Sequence, residues 1–399
     1  MTPYWNATTF RTGGVTSMSL YRFFVMIACG MALQVLPAMA GPVEALLPGE
    51  WYEVPNSNVS AINPCPANNC NYSGAPGQKS VILAWSGGAY DTKRDRLILW
   101  GGGHGDYGGN EIYGFDVNTL KWIMLTKPST NIADGEVYPD GRPSSRHTYG
   151  GLLYLANVDK LWASNGSVWE NGGCSTGTWM YDFSASPPES GWARQTDYPG
   201  DAKCGAVSAY DPATGLVWFN GKAGLQTFNP ANMSSPWVQR NQEGSVPLYM
   251  SGAIDVKRQK LVMIGGGYAF IHDISQSGTV ARQNLAALGA TEIESANAPG
   301  LAYDPVSDRI VAWNGGASIY TLNMDTLVWE RRAPASSNTV TPPQVTAAGG
   351  TFGRFQYMPF YNAFIAVNAT SENVYIYRLS AGTGSPPPQR PGKPTVTVR

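Results

Sequence analysis

Leu97-Ile98-Leu99-Trp100-Gly101-Gly102-Gly103 is a run of branched and aromatic residues that stops on three glycines. A short apolar run bounded by glycine reads as a buried β-strand followed by a tight loop. The same shape returns at Leu161–Gly166, Val217–Lys222, Leu261–Gly267, Ile310–Gly316 and Phe364–Thr370. Each run follows a segment of Ala-Tyr-Asp type: Ala89-Tyr90-Asp91, Asn157-Val158-Asp159, Ala209-Tyr210-Asp211, Ala253-Ile254-Asp255, Ala302-Tyr303-Asp304 and a weaker Met358-Pro359-Phe360. The copies lie roughly 40–70 residues apart, and short-strand repeats near this period build radial sheets of four strands. Six copies predict an all-β wheel of six blades.

The first unit reads as strand Ser80–Tyr90, a turn, strand Arg96–Trp100, loop Gly101–Asn110, strand Glu111–Asp116, a turn and strand Leu120–Thr126. Later outer strands carry Trp192, Trp237 and Trp329 in register with Trp122, and a less distinct one lies near Ala281. The sixth unit offers only Thr351–Met358, Ala363–Val367 and Asn373–Leu379, while Glu50–Val54 around Trp51 is a strand with no unit of its own. Pairing that stray strand with the last blade would close the ring and remove two exposed sheet edges. Residues 41–381 are therefore expected to be one domain. Residues 382–399, with Pro386-Pro387-Pro388, lack apolar periodicity and read as a flexible tail.

The chain has 399 residues, 43% hydrophobic and 14% charged, with 46 glycines and 13 tryptophans, as many tight turns between strands require. A net charge of −1 gives no reason to expect nucleic acid or an anionic membrane as partner. A monomer is expected. Arg22, the apolar stretch Phe23–Leu33 and Ala38-Met39-Ala40 read as a secretory signal over residues 1–40, with Met18 the better start. The stretch is short for a membrane span, so the mature protein is expected outside the cytoplasm, periplasmic or extracellular, with no membrane anchor. Cleavage would remove Cys29 and leave Cys65, Cys70, Cys174 and Cys204. An even number in an exported chain suggests disulfides, and Cys65–Cys70 with Cys174–Cys204 is the favoured pairing. A Cys-x4-Cys metal clip has no histidine beside it.

Gly101-Gly102-Gly103, then Asn110-Glu111-Ile112-Tyr113, Asp116 and Trp122, resembles a kelch unit, with its glycine pair, tyrosine and tryptophan. The chain is similar to the bacterial kelch-like, galactose-oxidase-type propeller family. The resemblance is sharp in blade one, fair around Leu261–Gly267 and Ile310–Trp329, loose in blades two, three and six, and covers most of residues 48–380. It implies a six-bladed kelch-like β-propeller closed by the Trp51 strand. Polysaccharide lyases, copper-radical oxidases, sugar hydrolases and pure binding modules are all built this way, so function must come from the site.

In such a wheel the loops after second strands open on the same face as the segments leading into first strands. Blade one places His104, Asp106, Tyr107, Asn110 and Glu111 there. Blade two adds Arg146, His147 and Tyr149, blade three Lys203 and Lys222, and blade four Tyr249 and Tyr268. Blade five adds Glu294 and Asn297, and blade six Arg354 and Gln356. Two of the three histidines and four cations on one face of a neutral protein suit an anionic glycan. Arginine grips a carboxylate in bidentate fashion, which acidifies the adjacent C–H for a neutral histidine or a tyrosinate to take. The expected activity is a polysaccharide lyase acting by β-elimination on a uronate-containing glycan. His104 or His147 would be the base, Tyr107 or Tyr249 the acid or second base, and Arg146 and Arg354 the carboxylate grip. Lys203, Lys222, Asp106, Asn110 and Tyr268 complete the substrate contacts.

The alternative is a non-catalytic kelch-type module that binds glycan or protein. A hydrolase would need two facing carboxylates from Asp106, Glu111 and Glu294. A copper-radical oxidase would need a cysteine joined to a tyrosine, and the cysteines are expected to be paired off. No cofactor is expected; a metal ion, were one bound, would belong at the His104/His147 face. Asp91, Asp116, Asp211, Asp255 and Asp304 read as turn residues, and His272 as structural.

Overall fold

The structure, a computed structural model, describes residues 41–345 and 349–382. The signal-like segment, Cys29 and the tail beyond Gly382 lie outside the described residues.

In each blade the first strand ends in a tight turn that its aspartate or its equivalent organises. In blade one the first strand, Gly88–Asp91, ends where the Asp91 carboxylate accepts the N–H groups of Lys93 and Arg94 at 3.1 Å. The turn then closes through Asp95 in the left-handed region, at φ 51°. Asp211, Asp255 and Asp304 take the N–H groups of Ala213, Arg258 and Val306 in the same way. Second strand Arg96–Leu99, third Tyr113–Asp116 and fourth Lys121–Met124 complete an antiparallel sheet.

Blades two to five repeat this order. Their first strands are Leu152–Leu155, Val207–Asp211, Ser251–Asp255 and Gly300–Asp304. Their fourth strands are Trp192–Arg194, Trp237–Gln239, Arg282–Asn284 and Val328–Arg332. Blade six runs Phe355–Met358, Ala363–Ala366 and Tyr375–Tyr377, and Trp51–Glu53 is its fourth strand, with Trp51 opposite Tyr377 and Glu53 opposite Tyr375. First strands of neighbouring blades touch in cyclic order, blade six against blade one included. The fold is a six-bladed β-propeller, all-β and closed by the Trp51 strand.

The interior is six wedges of buried side chains between successive blades. Leu97, Leu99 and Phe115 of blade one meet Ile365 and Ile376 of blade six. Trp51 fills the wedge between blades five and six, its ring 5.5 Å from Trp313 and 4.8 Å from Tyr377, and its indole N–H reaches the Ala317 carbonyl at 2.9 Å. The fourth-strand tryptophans do the same elsewhere: Trp192 lies 4.9 Å from Trp100 of blade one.

Three sequence readings shift. Ser80–Leu83 is a helical turn rather than the start of a strand, because Val81 and Ile82 turn into the wedge with Val54 and Val59. In blade two the equivalent of Ala-Tyr-Asp is Leu153-Tyr154-Leu155, and Asp159 stands where Asp95 does, in the left-handed turn at φ 54°. In blade six it is Gln356-Tyr357-Met358, two residues before the expected segment. Both errors came from matching an aspartate or an aromatic residue without the strand register.

Both expected disulfides are present, Cys65–Cys70 and Cys174–Cys204. They point to an oxidising, extracytoplasmic environment. No helix among the described residues is long and apolar enough to cross a membrane.

Candidate functional site

The segments leading into the first strands meet on the axis. Tyr149 of blade two, Ala298 of blade five and Phe352 of blade six form one apolar cluster, with Trp85 of blade one and Cys204 of blade three against it. Side chains from five blades can share a cluster only at the hub. Trp85, Tyr149, Ala298 and Phe352 all adopt left-handed backbone, at φ 47°, 48°, 39° and 48°. Bulky residues rarely accept that conformation, and such strain collects at functional sites. Trp85 and Phe352 were missed in the sequence. Their signal is positional, since each stands three residues before its first strand, as Tyr149 does.

His104, Asp106 and His147 gather beside this plug, with one ligand-capable atom from each lying within 4.8 Å of the others. His147 sits on a short strand, Arg146–His147, paired with Ser167–Val168. Its Nε2 is 2.8 Å from an Asp106 carboxylate oxygen, and its ring lies 5.2 Å from Trp85 and 5.7 Å from His104. The glycine loop makes this approach possible. A Cβ on Gly103 would come within 2.3 Å of the Arg146 Cα, and φ there is 66°. Ser145 fastens the loop: its hydroxyl donates to the Gly101 carbonyl at 3.0 Å and accepts the Gly103 N–H at 2.9 Å.

His147 is buried and His104 exposed. The two imidazoles therefore differ: His147 is held against Asp106, and His104 faces solvent. Gly172 backs His104, where a Cβ would lie 2.4 Å from the imidazole Cδ2. Cys174–Cys204 ties that backing loop to the segment leading into blade three. Tyr149 completes the wall; burial, followed by the charges of Tyr249 and Asp106, pushes its phenol up to about 12. Two imidazoles and one carboxylate are also a donor set for a divalent transition metal, with positions left open for substrate.

Several expected contacts are elsewhere. The Tyr107 hydroxyl is sealed in the core and donates to Glu111 at 2.7 Å, and Glu111 also accepts from Tyr113 at 2.5 Å. Tyr107 thus reaches no ligand, and Glu111 is removed from any carboxylate pair. Asn110 is fully buried, donating to the Pro143 carbonyl and accepting the Ser129 N–H. Arg146 is buried against Glu136 at 2.9 Å and against the Asn165 carbonyl. Burial raises the Glu136 carboxyl, but Arg146, Ser175 and Trp179 more than offset it and leave its pKa below the ordinary value. Arg146 is a strut under the site.

Arg354 is buried too, giving its N–H groups to the carbonyls of Ser86, Gly350 and Val367. It pairs with no carboxylate among the described residues, and burial alone lowers it to about 9. Neither arginine can grip a substrate carboxylate directly. Lys203 is half-buried with its ammonium on the Val246 carbonyl, and burial, then Arg282, lowers it to about 8. Lys222 is exposed and pairs with Asp201 at 3.3 Å. Tyr249 is half-buried near Tyr149, while Tyr268 is half-exposed beside Phe270 at 6.1 Å. Glu294 accepts the Trp329 indole N–H at 2.8 Å. All four described cysteines are in disulfides, so none of these four is free to join a tyrosine.

No protein-family model and no curated protein matches the chain. Among solved structures it is similar to the one described as the structure of YjhT, with 13% identity and a TM-score of 0.47 over 76% of this chain and 95% of that one. It is also similar to a structural-genomics protein of unknown function from Bacteroides thetaiotaomicron, with 11% identity and a TM-score of 0.47 over 82% and 75%.

Proposed function

We propose that this is an exported carbohydrate-active propeller that cleaves a uronate-containing glycan by β-elimination at the hub. The observation that carries this reading is the convergence of His104, Asp106 and His147 beside Trp85 and Tyr149. An aromatic wall next to titratable groups suits a sugar ring, which stacks its C–H face while its polar groups meet the histidines. His104, the exposed imidazole, takes the proton α to the carboxylate. The glycosidic C–O bond breaks as the double bond forms, and the departing oxygen receives a proton from Tyr249 or from water. Asp106 and His147 hold the His104 loop in place. The carboxylate is drawn by the positive potential of Arg354, which pairs with no carboxylate among the described residues, and by Lys203.

Full-length protein incubated with a panel of uronate polysaccharides should release unsaturated products that absorb in the ultraviolet. His104→Ala should lower the rate by roughly 10²-fold or more, the usual weight of a general base. Loss of activity with a chelator, restored by added metal, would make His104 a metal ligand and refute its role as the base. Full activity in His104→Ala would refute the site. The burial of both arginines favours a second reading, a non-catalytic glycan-binding module. Saturable binding without any unsaturated product would decide for it.

A further inference from the structure

The opposite face of the ring carries a site of different chemistry. Turns between first and second strands lie at the other end of the antiparallel blades from the histidine loops. There a cavity of about 530 Å³ runs along the axis, its mouth ringed by the turn residues Thr92, Ala156, Pro212, Val256, Pro305 and Pro359. Five of the six blades present a tyrosine to it at the same register, and Ile254 takes the sixth place. Small residues behind them, such as Ala89, Ala209, Ala253 and Ala302, leave the space open.

Each of the five phenols spends its proton on an acidic or amide oxygen. Tyr154 donates to Asp159 and Tyr303 to Asp308, both at 2.9 Å. Tyr210 and Tyr357 donate to Asn157 and Asn362 at 3.0 and 3.1 Å, and Tyr90 reaches Asp95 at 3.4 Å. What these tyrosines offer the cavity is aromatic surface, with no phenolic proton left to donate. Among the described residues no Lys, Arg or His lines it; the only polar side chains besides the tyrosines are Thr92 and Gln356, and the Gln356 amide N–H is given to the Gly353 carbonyl. Nearby cations are engaged outside it: Arg94 bridges Asp91 and Asp159, and Arg258 bridges Asp255, Asp308 and Asp325. Carboxylates add to burial in raising all five phenols, Asp95 at Tyr90, Asp91 at Tyr154, Asp211 at Tyr210, Asp255 at Tyr303 and Asp304 at Tyr357, and Arg94, Arg258 and Arg378 partly offset them at Tyr154, Tyr303 and Tyr357.

We propose that this tyrosine-ringed cavity binds a small organic cation, an ammonium group carried on an apolar body. Electron-rich ring faces attract such a cation, apolar walls accept its body, and the lack of a lining cation or free phenolic donor turns anions away. A sugar would find too few hydrogen-bonding partners. The inference is independent of the activity assigned to the histidine face.

The test is calorimetric titration of the full-length protein with choline, benzyltrimethylammonium, the uncharged choline isostere dimethylbutanol, and benzoate. Both ammonium ions should bind, the isostere should bind about tenfold or more weakly, and benzoate should not bind. Tyr303→Leu, which keeps bulk but removes the π face, should weaken the ammonium ions several-fold. Ala209→Phe, which fills the cavity, should abolish binding while leaving the histidine face untouched. An isostere as tight as choline, no ammonium binding by the wild type, or undiminished binding in Ala209→Phe would each overturn the proposal. Should either variant fail to fold, the wild-type ranking of the four ligands decides.

Discussion

His272 shows how a single titratable side chain can set the acid stability of the ring. It lies fully buried in the third strand of blade four, between Leu261 and Arg282 across the sheet. Burial, with Arg282 adding to it, lowers its pKa to about 4. A base whose folded pKa is depressed favours the neutral folded form. Its stability is whole above the unfolded value near 6.5 and is lost as pH falls from there toward 4. His272→Leu removes this proton linkage. The stability gap between wild type and variant should therefore move by about 2–3 kcal/mol against the wild type between about pH 7.5 and about pH 4.5. Urea denaturation at the two pH values measures it, and a gap independent of pH would show that His272 does not titrate in the fold.

Among elements, the loop that backs His104 is the one most dependent on a covalent tie. Cys174–Cys204 closes 30 residues and joins blade two to the segment leading into blade three, whereas Cys65–Cys70 closes only 5. On loop-closure entropy, the double Cys→Ser change at 174 and 204 should cost about 3–4 kcal/mol and that at 65 and 70 about 2 kcal/mol. Denaturation midpoints would show the order. The first pair should also lower activity or glycan binding at the hub, because Gly172 would no longer hold the His104 ring. Equal loss of hub function in both pairs would deny the loop that role.

For the molecule as a whole, closure matters most. A strand from the start of the described chain completes the last blade, so one short element seals two sheet edges at once. Trp51→Ala would empty a wedge between blades five and six and remove the indole bond to Ala317. Truncation of a buried tryptophan should cost about 3–5 kcal/mol. Trp237→Ala, at a half-buried and matching position in blade three, should cost less. Calorimetry would rank them, and light scattering should show self-association for Trp51→Ala through the exposed edge of blade six. A monomer with an unchanged midpoint would mean that the ring does not depend on this seal.

The amino-acid sequence by itself determined the repeat, the number of blades, the Trp51 closure, the turn aspartates and both disulfides. The repeat, the turns and the Cys65–Cys70 bridge rest on local signals, apolar runs of strand length, Asp-capped turns and cysteines 5 residues apart, while the Trp51 closure and the Cys174–Cys204 bridge follow from what those leave unpaired. Blade-two register escaped it, because Asp159 and Asp91 look alike as letters and differ only in which turn position they hold. Only the tertiary structure decided which side chains reach the hub. Arg146, Arg354, Tyr107 and Asn110 stand on segments that sequence order directs to the right face, yet each is turned inward to satisfy buried carbonyls or carboxylates. Whether a polar group faces solvent or the core depends on partners supplied by other blades. Glu136, Ser86 and Val367 lie 10 residues or more from the arginines they hold, and no local pattern records them. The tyrosine ring is of the same kind, since five phenols become one cavity only when the circle closes.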